Sequence, residues 1–213
     1  MLHHFFPTPI YEVDLNINPE QFKTYLNFIE DLNWSQDFDT WGNPHGYTTT
    51  VDYKEDILSL DPLFSLATLI DIEMSSFVFN DIGISPAAHY IERTTSWANK
   101  QSFGDYISTH LHSNSHYSGV LYLKTPEDSG DIHFINEQST WSYPGLEYNL
   151  HCTNKINIPS VSFTPTTQKL LLFPSFLKHF VDKSQSKELR YSLSFNYFIK
   201  GEYIDGMSYL NIR

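Results

Sequence analysis

The sequence contains a single cysteine, Cys152, among its 213 residues. An internal disulfide is therefore excluded, which fits a reducing compartment. Lysine and arginine number 13 against 25 aspartates and glutamates, and they form no basic block, so the formal net charge is −12. Such a surface repels a phosphate backbone, and nucleic acid is therefore disfavoured as a substrate.

Long apolar runs are also missing. No stretch approaches the roughly 18–20 apolar residues of a membrane-spanning helix. The N-terminus, MLHHFFPTPIY, lacks the basic region and apolar core of a signal peptide. We therefore expect no membrane association and a cytoplasmic location, in the host cytoplasm if the protein is viral. G-x-S-x-G, G-x-G-x-x-G and P-loop motifs are absent as well, which argues against the enzyme classes that they mark.

Aromatic residues are abundant, 34 in all, and the hydrophobic fraction of 40% is that of a folded globular protein. Two segments in the first half have the pattern of amphipathic helices. Asn18 is a suitable N-cap before Pro19, and Asp61-Pro62 marks the start of a second helix that we expect to run to about residue 79. We interpret both helices as packing supports.

From residue 87 onward the sequence consists of short β-rich runs separated by polar turns. This spacing is typical of a β-sandwich or barrel. The predicted fold class is α+β, mainly β, in one domain, 1–213. Within it, 1–85 holds a strand and the supporting helices, 86–200 the β core, and 201–213 a C-terminal tail.

The stretch THLHSNSHYSG (109–119) places His110 and His112 two positions apart. In a strand, such residues point to the same face about 7 Å apart. Two imidazoles in this arrangement can bind one divalent metal. The alternative is a pair of histidines in the core or on the surface.

A third histidine, His179, lies in the run FLKHFV, which a polar turn separates from RYSLSFNYF. If the chain reverses at Ser184 and Gln185, His179 lies opposite Arg190 on the neighbouring strand. That strand alternates between a face of arginine, serine and asparagine and a face of aromatic residues and leucine. Because a guanidinium group suits a carboxylate, this hairpin would hold a metal ligand and an organic-acid anchor on one face. The alternative for Arg190 is a surface ion pair.

These motifs, with SWANKQSFGDYISTHLHSNSHYSGVLYL and SGDIHF, resemble a group of phage and marine-bacterial proteins in the 2-oxoglutarate/Fe(II)-dependent oxygenase superfamily. The resemblance covers nearly the whole chain and is most specific over residues 96 to 197. It implies a double-stranded β-helix (jelly-roll) core that binds Fe(II) and 2-oxoglutarate. His110 and His179 would take the two histidine positions of the metal site.

The resemblance also implies a cosubstrate site. Arg190 would bind the far carboxylate of 2-oxoglutarate, and Ser192 completes the R-x-S pattern. Tyr122 would contact the same carboxylate, and Asn99 is a further candidate for contact with the cosubstrate.

His112 departs from the family pattern, which has aspartate or glutamate at this position. We favour direct metal ligation by His112, which gives a three-histidine site. Two alternatives remain: water or a halide fills the third place, or a remote carboxylate, Asp105 or Asp131, closes the site.

A second barrel family, the cupins, has the pattern G-x5-H-x-H-x3-E. Gly104, His110 and His112 match it, and His116 stands at the glutamate position. PSFLKH similarly resembles P-x-G-x-x-H, with Phe176 in place of glycine. Two mismatches make the cupin interpretation the weaker one. Under the oxygenase interpretation, His116 is a structural or substrate-facing residue.

The remaining histidines carry less information. His45 and His89 lie outside any cluster, and His133 alternates with apolar residues in a strand, so we expect it to have a core or surface role. Cys152 has no partner that would mark it as a nucleophile.

Together these observations predict an Fe(II)- and 2-oxoglutarate-dependent dioxygenase that hydroxylates an unknown substrate. The expected partners are 2-oxoglutarate, O2 and a protein, peptide or small-molecule substrate, and the many aromatic residues leave room for a homodimer. The competing predictions are a cupin-like metal-binding barrel and a non-catalytic jelly-roll module, for example a virion component.

Overall fold

The computed structural model describes residues 7–39, 41–50, 56–137, 149, 151–154, 157–205 and 208–213. In these residues the chain forms two α-helices and twelve β-strands. None of the helices in this part of the chain has the length and apolar character that a membrane crossing requires.

Helix α1 (Pro19–Glu30) begins where the sequence predicts it. The Asn18 side chain accepts a hydrogen bond of 3.0 Å from the Glu20 backbone N–H. One of the N–H groups left free at the helix start is thereby satisfied. The predicted N-cap is confirmed.

Helix α2 (Phe64–Ser75) begins slightly later than the Asp61-Pro62 pair suggests. The reason is that residues 61–63 form a turn, in which the Leu63 N–H donates to the carbonyl of Leu60 at 2.7 Å. After α2 the chain continues in a π-helical segment, Ser76–Asp81, which ends close to the predicted boundary.

Most strands lie in the second half of the chain, but three lie before residue 50. They are β1 (Tyr11–Asp14), β2 (Ser35–Phe38), β3 (Pro44–Thr48), β4 (His89–Gln101), β5 (Ile107–His110), β6 (Tyr117–Lys124), β7 (Ile132–Ile135), β8 (Ser160–Phe163), β9 (Lys169–Pro174), β10 (His179–Val181), β11 (Arg190–Asp205) and β12 (Ser208–Ile212). The first half therefore contributes to the sheet as well as covering it.

The strands pair into two antiparallel sheets. The large sheet has the order β1-β9-β6-β11-β4-β3-β2, with β12 added to β11, and the small sheet has the order β5-β10-β7-β8. Two sheets that enclose a common core form a jelly roll. The predicted class, α+β and mainly β, is confirmed.

The hydrophobic core has two parts. One lies between the helices and the large sheet, where Ile29 and Ile70 belong to the same cluster as Leu193 of β11. The other lies between the two sheets, where the rings of Phe134 and Phe173 are 4.8 Å apart. The candidate functional residues lie in this second space, between the sheets.

Strand β11 alternates as predicted from its sequence. Arg190, Ser192 and Ser194 line a cavity between the sheets. The intervening residues are buried on the helix side of the large sheet: Tyr191, Leu193, Phe195 and Tyr197.

The prediction that His179 and Arg190 face each other across a hairpin is wrong. β10 pairs with β5 and β7 in the small sheet, whereas β11 pairs with β4 and β6 in the large one. The intervening segment makes its backbone hydrogen bonds elsewhere: the N–H of Ser184 donates to the carbonyl of Asp105, and that of Gln185 to the carbonyl of Asp128. The chain therefore crosses from one sheet to the other.

The last residues also belong to the large sheet. β11 continues to Asp205, and β12 pairs with it in a register that runs from Gly201 opposite Ile212 to Asp205 opposite Ser208. The described residues of the expected tail, 201–213, therefore form a hairpin extension of β11.

Candidate metal centre

Three histidines converge between the sheets. His110 ends β5 and lies opposite His179, the first residue of β10, while His112 lies two residues beyond β5. One ring nitrogen from each histidine lies within 4.8 Å of those of the other two. The ring centroids of His110 and His179 are 4.2 Å apart, and that of His112 lies 5.1 Å from His179. A single metal ion can be shared at such distances.

Hydrogen bonds determine which nitrogen of each ring is available. Nδ1 of His110 lies 2.9 Å from the Ser108 carbonyl, and Nδ1 of His179 lies 2.9 Å from the Leu177 carbonyl. Because a carbonyl oxygen only accepts, Nδ1 carries the proton in both rings, and in the neutral ring Nε2 retains its lone pair. This is the arrangement of a metal-binding histidine whose second nitrogen is held by the protein.

Burial keeps the three imidazoles neutral. It is the main cause that lowers the pKa of His179 to about 3 and that of His112 to about 4. Burial also lowers the pKa of His110, with the neighbouring His45 acting in the same direction. Neutral imidazole is the form that binds a metal, so at neutral pH the cluster is in the ligating state.

Among the described residues, no aspartate or glutamate joins this cluster. Asp105 instead accepts hydrogen bonds from the backbone N–H and the hydroxyl of Ser102, at 2.7 and 3.0 Å. Neither of the two remote carboxylates considered from the sequence, Asp105 and Asp131, belongs to the histidine cluster. The arrangement is a cluster of three histidines.

Asn196 of β11 orients His112. Its Oδ1 accepts the Nδ1–H of His112 at 2.6 Å and the hydroxyl of Ser118 at 2.8 Å, while its Nδ2 donates to Thr95 at 3.1 Å. Since the amide nitrogen is directed to Thr95, Oδ1 must face His112. The Nε2 of His112 is thereby left free, as it is in the other two rings.

The loop that carries His112 is held by serines. The Ser175 carbonyl accepts the His112 backbone N–H at 3.0 Å, and the Ser175 hydroxyl bonds those of Ser115 and Ser118 at 2.9 and 2.7 Å. His112 lies outside a strand, so these bonds replace the sheet pairing that would otherwise fix its position.

We expect Asn196→Leu to weaken Zn(II) binding by about 10- to 100-fold, because the group that holds the His112 tautomer is lost. Asn196→Asp should retain the affinity or raise it, since a carboxylate accepts the same proton and adds a negative charge. Competition with a chromophoric chelator measures both changes. Asn80→Leu, at an exposed position, is the control. Unchanged affinity in a folded Asn196→Leu protein would show that His112 does not depend on this contact.

Arg190 lines the same cavity and is 2% exposed. Its Nη1 donates to the carbonyls of Ser129 and Gly130, at 3.1 and 2.8 Å, while its Nε has no partner. The Oη of buried Tyr122 also has no partner, and the Tyr122 ring centroid is 5.1 Å from the Arg190 Cζ. A buried cation and a buried phenol with unused donors fit a carboxylate ligand.

The phenol of Tyr122 is a donor at neutral pH, because burial raises its pKa to about 12. Two more predicted residues lie nearby in the cavity wall: Asn99 is opposite Ser192 in the pairing of β4 with β11, and its Nδ2 donates to Ser194 at 3.2 Å. The wall around Arg190 is therefore polar.

All seven residues singled out from the sequence line one cavity of about 240 Å³. The same cavity contains residues that the sequence analysis missed: Asp37, Asp39 and His45 from the β2–β3 hairpin and Trp97 of β4. In particular, His45 was expected to lie outside any cluster, and this was wrong. The hairpin reaches the site through its pairing with β4, a contact that no local pattern indicates.

Two histidines outside the cavity, His116 and His133, make structural contacts. Nδ1 of His116 accepts the backbone N–H of Ile199 at 2.9 Å, so His116 does not act at the position of the cupin glutamate. His133 lies 2.6 Å from Asp182, and its ring stacks on that of Phe180. These contacts agree with the roles expected for both residues.

A family model described as "Putative 2OG-Fe(II) oxygenase" matches residues 95–196. All seven predicted site residues lie in this segment. No curated protein matches the chain.

Solved structures share the fold. The epimerase SnoN from nogalamycin biosynthesis has a TM-score of 0.64 at 12% identity, with 97% of this chain and 89% of that chain covered. A 2OG-Fe(II) oxygenase family oxidoreductase from Burkholderia pseudomallei has a TM-score of 0.62 at 14% identity, with 88% and 84% covered. A Pseudomonas putida prolyl-4-hydroxylase has a TM-score of 0.55 at 14% identity, with 89% and 92% covered. SnoN has also been crystallised with Fe3+ and alpha ketoglutarate. At these identities the likeness concerns the fold.

Proposed function

Since residues 95–196 match a family model of 2OG-Fe(II) oxygenases, we propose that this chain is a dioxygenase that uses Fe(II) and 2-oxoglutarate to hydroxylate a substrate. One observation carries the proposal. Three neutral histidines and a buried arginine with an unpaired Nε line the same cavity.

The residues present fit both groups. His110, His112 and His179 would hold the metal through Nε2, because a hydrogen bond engages Nδ1 in each ring. Arg190 and Tyr122 would bind the far carboxylate of 2-oxoglutarate, with Ser192 and Asn99 beside them. When bound, Fe(II) with 2-oxoglutarate and O2 supplies the oxidising power to break a C–H bond, with succinate and CO2 as co-products.

The protein would position the metal ligands and the cosubstrate and would exclude water from the site. Asn196 and the serines hold His112 in place. Arg190 would bind the far carboxylate of 2-oxoglutarate in the same cavity. Phe173 packs against the His179 ring, with 4.9 Å between centroids, and helps to shield the metal side of the cavity from water.

The absence of a carboxylate from the described cluster couples the binding of the metal to that of 2-oxoglutarate. Three neutral ligands leave the two positive charges of a divalent metal uncompensated, whereas a 2-His-1-carboxylate site neutralises one of them. The 2-oxoglutarate dianion supplies the missing charge. Metal and 2-oxoglutarate should therefore strengthen each other's binding.

The test is anaerobic Fe(II) titration of the purified protein, followed by addition of 2-oxoglutarate and O2 and measurement of succinate by mass spectrometry. We expect one Fe(II) per chain and succinate formation that depends on iron, even without the primary substrate, at a low uncoupled rate. Because the cluster lacks a carboxylate, the second candidate function is a non-catalytic barrel with a structural metal. That alternative predicts metal binding, often of zinc, without affinity for 2-oxoglutarate and without succinate.

A further inference from the structure

The β2–β3 hairpin forms one wall of the cavity and contributes Asp37, Phe38, Asp39 and His45. No other carboxylate lines the cavity among the described residues. The lining there also contains only one lysine or arginine, Arg190. The wall that the hairpin forms is therefore acidic.

The two carboxylates, Asp37 and Asp39, differ in the number of hydrogen bonds that they accept. Asp39 accepts hydrogen bonds from the backbone of Trp41 and Asn43, from the Asn43 side chain and, at 2.8 Å, from Tyr106. These bonds hold the turn between the strands, and the Asn43 side chain is the first cause that lowers the pKa of Asp39 to about 2. Asp39 is therefore an ionised structural residue.

Asp37 accepts fewer hydrogen bonds and can still bind a donor through Oδ2. Its Oδ1 accepts the Phe38 N–H at 3.0 Å, and its side chain is 42% exposed. Its Oδ2 lies 3.3 Å from Nε2 of His45, outside hydrogen-bond geometry. No lysine or arginine of the described chain pairs with Asp37.

His45 is the second part of this wall. It is 7% exposed, yet neither of its ring nitrogens has a hydrogen-bond partner. Buried imidazole nitrogens are normally satisfied, so the His45 ring is available to a polar group in the cavity. Asp37 and His45 together offer an anionic acceptor and a second acceptor on one surface.

With Fe(II) and 2-oxoglutarate bound, the net charge of the cavity favours a cation beside the hairpin. Bound Fe(II) and the 2-oxoglutarate dianion cancel, and Arg190 is engaged by the cosubstrate. Counting histidines as neutral, one positive charge from Arg190 and two negative charges from Asp37 and Asp39 leave a net charge of −1. A positively charged substrate group complements this field.

We propose, on the basis of the proposed function, that Asp37 and His45 form a subsite for an alkylammonium group of the primary substrate. The ammonium would donate to Asp37 Oδ2 and to a ring nitrogen of His45, and both are acceptors that the fold leaves unused. Phe38 and Trp97 add aromatic rings to the lining of the same cavity, which suits a cation. The subsite selects the substrate and takes no part in the oxidation.

The test uses Nα-acetyl-lysine amide as the probe and Nα-acetyl-norleucine amide, which lacks the charge, as its matched comparison. Protein loaded with Zn(II) and 2-oxoglutarate, and separately the metal-free protein, is titrated and followed by 15N–1H NMR. We expect shifts of the 35–48 amides with a Kd of about 1 mM, the range for a small fragment. Pentylamine, which carries only the alkylammonium tail, separates a free amine from a peptide-like ligand.

Asp37→Asn should weaken binding of the lysine probe by about 10- to 100-fold, as expected for the loss of a hydrogen bond to a charged group. Asp14→Asn, at an exposed position of β1, is the matched control and should have no effect. Equal binding of the norleucine probe, no hairpin shifts in either form of the protein, or full affinity in Asp37→Asn would each overturn the subsite. Zn(II) and 2-oxoglutarate binding are measured in the same samples, and their failure would contradict the proposed function instead.

Discussion

His179→Ala is expected to lower the affinity for a divalent metal by about 100-fold or more. Structural zinc sites with four ligands bind with about 10–16 kcal/mol, so one ligand accounts for about 3 kcal/mol, or a factor of more than 100. His110→Ala should have a comparable effect, because its ring faces that of His179 across the β5–β10 pair. Anaerobic Fe(II) titration and Zn(II) competition measure both variants.

His179 is also a packing residue, 4% exposed, so the alanine variant loses buried volume as well as a ligand. His179→Gln retains most of that volume and separates the two effects. The matched control is His133→Ala on β7, whose imidazole pairs with Asp182 away from the cluster. If both His179 variants fold and bind metal as tightly as the wild type, the three-histidine site is wrong.

Arg190→Met should reduce the affinity for 2-oxoglutarate by about 30-fold or more, since truncating one partner of a buried charge pair costs about 2–5 kcal/mol. Metal affinity in the absence of 2-oxoglutarate should change little. Calorimetric titration of 2-oxoglutarate into Zn(II)-loaded protein measures the change. Lys100→Met is the control, because its ammonium lies over the rings of Trp34 and Tyr47, with 4.7 Å to the Trp34 centroid.

Tyr122→Phe tests 2-oxoglutarate binding in the same pocket independently of Arg190. The buried Tyr122 hydroxyl makes no hydrogen bond of standard geometry, so its removal should change the stability of the unliganded protein little. The variant should nevertheless bind 2-oxoglutarate more weakly, because the ligand loses a donor. If Arg190→Met and Tyr122→Phe both keep full affinity for 2-oxoglutarate, the anchor lies elsewhere, and the non-catalytic barrel becomes the better interpretation.

Much of the site can be predicted from the sequence, because its signals are local. His110 and His112 are two residues apart, and the β11 alternation already separates Arg190 and Ser192 from the aromatic face. The resemblance supplied the roles of Tyr122 and Asn99, and the structure places both in the same cavity as the histidines. The family model that matches residues 95–196 agrees with the predicted superfamily.

The relation between His179 and Arg190 could not be predicted in this way. The polar turn between them suggested a hairpin, but its backbone bonds to Asp105 and Asp128, and the two residues lie on opposing sheets. They still line one cavity, because a jelly roll brings facing sheets together across the core. A hairpin and a crossover have the same local turn signals, and only competition among long-range hydrogen bonds decides between them.

The sequence by itself determined the periodicities: the helix start at Asn18, the β-rich second half, the histidine pair and the two faces of β11. Only the tertiary structure decided how distant segments meet. Asn196 holds His112 across 84 positions, and the 35–48 hairpin brings Asp37 and His45 to the cavity. Periodicity follows from backbone geometry over a few residues, whereas these contacts arise when the whole chain buries its apolar faces and must still satisfy its polar groups.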